Sequence, residues 1–131
     1  MGLVYSRIKF LLDAKNAGAK FDNTVMVGRQ KISLSKKESK KLTSTYKLSN
    51  NIDDSILKER FYADILMEDY FGVKQLRFID YSNYEGADIV TDLNYPIEKK
   101  FYNKFDTLID GGSIEHIYNF PTAIENYMKM I

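Results

Sequence analysis

A chain of 131 residues with Lys+Arg 19 against Asp+Glu 18 and a net charge of +1 is long enough for one ordinary domain and too short for two. Hydrophobic residues at 44% and charged residues at 28% exclude a disordered chain. The two signs are interspersed, which leaves no footprint for a nucleic-acid backbone or an anionic membrane surface. No apolar run approaches the roughly 20 residues of a membrane helix. Arg7, Lys9 and Asp13 interrupt the apolar stretch near the start, so it does not read as a signal peptide. Cys 0 excludes disulfides, thiolate nucleophiles and cysteine metal sites, and His 1 excludes histidine zinc clusters. These features predict a cytoplasmic domain.

In chain order, Leu3, Val4, Ile8, Leu11 and Leu12 recur at helical spacing with Gly18 as a stop, which predicts an N-terminal helix within residues 1–22. Thr24-Val25-Met26-Val27 is a short β-rich run closed by Gly28. Lys31 to Lys47 holds six Lys among Ser and Thr, and Ser35 with Glu38 forms a capping-box pattern; this predicts a short solvated helix rather than a basic binding arm. Asp53 or Asp54 is placed to cap a long helix carrying Ile56, Leu57, Phe61, Ile65 and Leu66 and ending at Gly72. That position reads the Asp53-Asp54 pair as a cap and not a catalytic dyad. Phe61, Tyr62, Tyr70 and Phe71 also fall at helix spacing and are expected in the core. Leu76-Arg77-Phe78-Ile79, Ala87 to Val90 and Phe105 to Ile109 read as strands, and a last helix starts near Asn119 or Pro121.

Strands alternating with helices predict an α/β fold with a mainly parallel sheet. Three of the strands finish near a carboxylate: Asp80, Asp92 and Asp110. Parallel strands bring these acids to one rim, where open α/β sheets bind ligands. A carboxylate there can accept from a ribose diol or an exocyclic amine. Asp is also common in turns after strands, so each acid alone has an ordinary structural reading.

The stretches Phe78-Ile79-Asp80-Tyr81-Ser82, Gly86-Ala87-Asp88-Ile89-Val90-Thr91-Asp92-Leu93-Asn94-Tyr95-Pro96-Ile97 and Phe105-Asp106 through Asp110-Gly111-Gly112-Ser113-Ile114-Glu115-His116-Ile117 together resemble the middle of a class I S-adenosylmethionine-dependent methyltransferase. The resemblance implies a Rossmann-like, mainly parallel sheet of order 3-2-1-4 with helices on both faces, and S-adenosylmethionine as cofactor. Carried over residue by residue, Asp80 binds the ribose and Tyr81 lies against the adenine. Asp92 accepts from the adenine amine, Leu93 supplies a backbone donor to a ring nitrogen, and Asp110 and Gly111 lie near the methionine moiety. Glu115 and His116 would face the methyl acceptor, with His116 as the imidazole base. As neighbours they supply too few ligands for a metal.

The chain also departs from the family's pattern. Where the family has a Gly-rich loop after its first strand, Val25-Met26-Val27-Gly28-Arg29-Gln30 offers only Gly28, with a bulky Arg29 beside it. Arg29 and Gln30 could instead contact the cofactor carboxylate. A second mapping makes Leu76–Ser82 the first strand and Tyr84-Glu85-Gly86 the loop. The resemblance covers most of the chain, read as a single domain 1–131 with residues 1–22 as an N-terminal helix and 23–131 as a cofactor-binding half, and it spans the front half to two-thirds of the family domain, up to the helix following the fourth strand. The expectation is a fold incomplete against the family's seven strands, with the fourth strand left as an edge that invites a homodimer. Two function classes follow: a methyltransferase, or the cofactor-binding portion of one, acting on a small-molecule or other acceptor that the sequence does not specify; or a non-catalytic Rossmann-like module kept for assembly or partner binding. Tyr81, Tyr84 and Tyr95 sit in loops at the expected rim, where a ring can stack on a ligand.

Overall fold

A computed structural model describes residues 2–48 and 62–131. The expected helix start at Asp53 or Asp54, with Ile56, Leu57 and Phe61, lies outside the described residues. The chain is α/β, with parallel sheets and flanking helices, and divides into two compact units: Met1–Ala19 with Gln30–Gly72, and Lys20–Arg29 with Val73–Ile131. Among the described residues no helix is long and apolar enough to cross a membrane.

The first unit opens with a strand where a helical turn is expected. Gly2–Val4 (β1) runs parallel to Lys31–Ser33 (β3), and Leu3 pairs with Ile32. A Cβ on Gly2 would meet the Lys31 carbonyl oxygen at 2.5 Å, so this close pairing needs glycine. Apolar spacing alone could not reveal a partner strand so far along the chain. The helix α1 therefore begins at Tyr5 and runs to Asn16, burying Ile8, Leu11 and Leu12. Gly18 follows with φ +100°, as the stop signal predicts.

Lys36–Tyr46 (α2) is the solvated helix expected from its lysines. Leu42 and Ser39 are buried while Lys36, Lys37, Lys40 and Lys41 are exposed. Its start is a complete capping box: the Ser35 hydroxyl accepts from the Glu38 N–H, and the Glu38 carboxylate accepts from the Ser35 N–H at 2.8 Å. Asp64–Phe71 (α3) buries Leu66, Met67, Tyr70 and Phe71 and ends at Gly72, whereas Ile65, expected on the apolar face, is 40% exposed. The helix begins only at Asp64, two residues after Tyr62, which forms an antiparallel bridge with Lys31. The Ala63 N–H likewise donates to the Gln30 carbonyl.

The second unit is a four-stranded parallel sheet. Its order is β5-β4-β2-β6, with Asn23–Val27 (β2), Gln75–Asp80 (β4), Ile89–Val90 (β5) and Thr107–Asp110 (β6). Met26 of β2 pairs with Phe78 on one side and Ile109 on the other. Thr24 to Val27 are all buried, the mark of a parallel strand covered on both faces. Thus β2 lies between β4 and β6, and among the described residues β6 is one edge of the sheet.

Phe120–Met130 (α4) has Pro121 in its first turn and inserts Ala123 and Met130 into a core with Val25, Val27, Ile79 and Phe105. Its last carbonyls, Lys129 and Met130, accept from the N–H groups of Asn103, Lys104 and Phe105. Those bonds satisfy a helix end that would otherwise be bare.

Ser35→Ala removes the capping hydroxyl and should lower stability by about 1 kcal/mol, read by urea unfolding at neutral pH. Accepting from the Ser35 N–H, and then from its hydroxyl, holds the Glu38 carboxyl below its ordinary value. Its contribution is present above the unfolded-state value and is lost as pH falls through the lowered folded-state one. The difference between wild type and Glu38→Ala should accordingly shrink in acid.

Candidate functional site

The second unit carries a cavity of about 250 Å³. Every strand contributes its carboxyl end: Val27 and Gly28 from β2, Ile79 to Tyr81 from β4, Thr91 to Asn94 after β5, and Ser113, His116 and Ile117 after β6. Parallel pairing is the reason, since it turns all four strand ends to one rim. The expected residues Gly28, Asp80, Tyr81, Asp92, Leu93 and His116 thus lie together around one space.

Within it, Asp80 and Asp92 are half committed. One Asp80 oxygen accepts from the Ser82 N–H at 3.2 Å. One Asp92 oxygen accepts from the Asn94 N–H at 2.9 Å and the Asn94 side-chain amide at 2.7 Å. The second oxygen of each makes no hydrogen bond to the described residues. The Leu93 N–H also has no acceptor among them. Two acceptors and one donor therefore remain at the rim for a ligand. Gly28 has φ +68°, and its N–H is taken by the Ile79 carbonyl at 2.8 Å.

Asp110, Gly111 and Glu115 are not among the lining residues. The Asp110 carboxylate turns into its own loop. One oxygen accepts from the N–H groups of Gly112 and Ser113 at 2.7 and 2.6 Å, and the other from the Ile114 N–H and the Tyr127 hydroxyl, both at 2.9 Å. Gly111 is buried, and Glu115 is exposed. Burial and the bond to Asp110 push the Tyr127 phenol above its usual range, so it stays a donor. Arg29 stacks its guanidinium 5.2 Å from the Phe78 ring centre, Gln30 belongs to the first unit, and of the three tyrosines expected at the rim only Tyr81 lines the cavity. Tyr84 and Tyr95 are exposed. Among the described residues no group of three or more His, Asp or Glu is arranged to hold a metal.

The residues that fix the walls escape the motif reading. Asn126 of α4 is 1% exposed. Its oxygen accepts from the Ile97 N–H at 2.9 Å, and its amide donates to the carbonyls of Leu93 and Tyr95 at 3.3 and 2.8 Å. Asn119 holds the same wall, its N–H donating to the Asn94 side chain at 2.8 Å and its amide to the Asn94 carbonyl at 3.1 Å. Opposite, the Ser113 hydroxyl donates to the Val27 carbonyl at 3.2 Å. The available signal was Asn126 itself, a polar residue at i+3 from Ala123 and i−4 from Met130, where the buried face of α4 calls for an apolar one. Protein-family models, curated proteins and solved structures contain no match to this chain.

Asn126→Ala strands one buried N–H and two carbonyls, and should cost about 3 kcal/mol. Tyr127→Phe loses one hydrogen bond and should cost about 1 kcal/mol. Thermal unfolding of the two variants beside wild type checks the ranking; a milder Asn126 variant would show that the 93–97 wall is held by other contacts.

Proposed function

We propose that the second unit is a Rossmann-like cofactor-binding portion of an S-adenosylmethionine-dependent methyltransferase. The observation that supports this reading most is the meeting of Asp80, Asp92 and Leu93 in one cavity at the strand ends, each with an uncommitted polar atom. The free Asp80 oxygen suits a ribose diol, the free Asp92 oxygen an exocyclic amine, and the Leu93 N–H a ring nitrogen. Tyr81, 75% exposed, can fold its ring over a base at the mouth. The volume lies below the roughly 300–1,000 Å³ of pockets that enclose whole ligands. It fits the nucleoside part, with the methionine part lying outside the enclosed space.

When bound, the cofactor supplies an activated methyl group on its sulfonium. The protein's share is then orientation more than covalent help. Asp80 and Asp92 hold the nucleoside by both ends, and the loop fixed by Asp110 and Tyr127 forms the opposite wall. His116, the imidazole of that wall, takes the proton an acceptor releases at the cavity mouth.

One observation favours a second reading, a non-catalytic module of the same fold. Asp110, which the family resemblance would place near the methionine moiety, has its carboxylate occupied by its own loop. A chain that has lost the methionine contacts but kept the fold would look the same at that position.

Calorimetric titration with S-adenosylhomocysteine separates the two. Micromolar binding that Asp80→Ala weakens at least tenfold supports the first reading. A folded chain that gives no heat leaves the second.

A further inference from the structure

We infer that the exposed face of α2, in the first unit, is a docking surface for the phosphate backbone of a nucleic acid, held by charge and without readout of bases. The face needs nothing from the methyltransferase reading of the second unit.

The net charge of +1, which leaves no footprint over the chain as a whole, averages over an uneven distribution. From Lys31 to Lys47 six Lys stand with a single acid, Glu38. The helix then sorts them. At about 100° per residue, Lys36, Lys37, Lys40, Lys41, Ser44 and Thr45 fall on one half of the α2 circumference, and all six are exposed. Ser39 and Leu42 take the other half and are buried. Lys36 with Lys40, and Lys37 with Lys41, make two rows that each span about 6 Å of the helix axis. Cations repeated along a line, with hydroxyls beside them, match a polymer that carries one negative charge per unit.

The shape of the face supports the same ligand. A cavity of about 400 Å³ is lined by Tyr5, Ser35, Lys37, Glu38 and Lys41, so one lysine row borders a hollow at the positive end of the helix. The Lys41 ammonium lies 5.6 Å from the centre of the Tyr5 ring, which helps to hold it there. One Glu38 oxygen accepts from the Ser35 N–H at 2.8 Å and from the Ser35 hydroxyl at 2.7 Å, which ties that carboxylate to the helix cap. A phosphate in the hollow meets two ammonium groups against this one acid.

Two other polyanions fit less well. Helices that settle on anionic membranes do so through an exposed apolar side, and that side of α2 is spent on the protein core, with Leu42 0% exposed. Carboxylates of an acidic protein are gripped best by the planar fork of Arg, whereas Lys, the cation used throughout this face, is a point charge that suits phosphate.

Fluorescence anisotropy of a short labelled DNA duplex of mixed sequence, titrated with the whole chain at several salt concentrations, tests the inference. Four neutralised phosphates predict that binding weakens about 100-fold for a roughly fourfold rise in salt. Lys37→Gln with Lys41→Gln should lower the log–log salt slope by about two, and Lys40→Gln alone by about one; glutamine keeps the helix propensity of lysine. Lys99→Gln with Lys104→Gln makes the same charge change on exposed residues of the second unit and should leave the slope as it is. A folded chain that does not bind the duplex at low salt overturns the inference. So does a slope that the α2 variants leave unchanged, or one that the Lys99 and Lys104 pair lowers equally, which would make the binding a matter of overall charge. Phosphatidylserine vesicles that hold the chain at a salt concentration where the duplex does not would assign the face to a membrane instead. Polyglutamate that displaces the duplex at equal charge concentration would assign it to an acidic protein, and either result overturns the nucleic-acid assignment.

Discussion

One turn of α4 holds two walls of the cavity at once. Asn126 and Tyr127 are neighbours in sequence, so their side chains leave the helix about 100° apart and reach different loops. The buried amide of Asn126 joins Leu93, Tyr95 and Ile97, while the Tyr127 hydroxyl holds Asp110 and, through it, the turn that leads to His116. Both links are polar and half or more buried. Their geometry is therefore narrow, because an amide or hydroxyl out of place there loses its partners without regaining water. The sheet determines where the strand ends lie, and this pair of residues determines the shape of the space between them.

The strands of the second unit were largely legible because each is a short apolar run with a clear stop. Thr24 to Val27 and Leu76 to Ile79 pair where their sequence places them, whereas the strand expected over Phe105 to Ile109 is Thr107–Asp110 and that over Ala87 to Val90 is only Ile89–Val90; β2, buried on four of its five residues, carries the clearest signal. The capping box at Ser35 and Glu38 was legible for a different reason, being a local pattern with a local partner. What stayed hidden depends on distant partners. Leu3 and Val4 carry helical spacing, yet Lys31–Ser33 offers their backbone a parallel strand. Nothing within a few residues of Leu3 signals that. Asn126 stands out as polar on an apolar face, but its partners stayed hidden, because its three bonds reach residues about thirty positions earlier.

The three acids at the strand ends show how much of a site is set by the residues that follow it. All three looked alike in sequence, each closing a strand. Asp110 is followed by Gly111 and Gly112, and Gly112 adopts φ +119°, open to glycine and costly for other residues. That freedom lets the chain curl its next N–H groups back onto the carboxylate. Asp80 is followed by Tyr81 and Ser82, and Asp92 by Leu93 and Asn94. These bulkier residues allow only the short return seen, to Ser82 in one case and Asn94 in the other. One oxygen of each acid is left over.

The same glycine pair that makes the Asp110 motif look like a cofactor loop is thus what turns Asp110 away from the cavity. The loop gains a firm internal anchor, because the N–H groups of Gly112, Ser113 and Ile114 all donate to its own carboxylate. Asp80 and Asp92, by contrast, each keep one oxygen at the cavity that accepts no hydrogen bond from the described residues. Which carboxylate oxygens the rim can offer follows from which of them the N–H groups of the same loops already occupy.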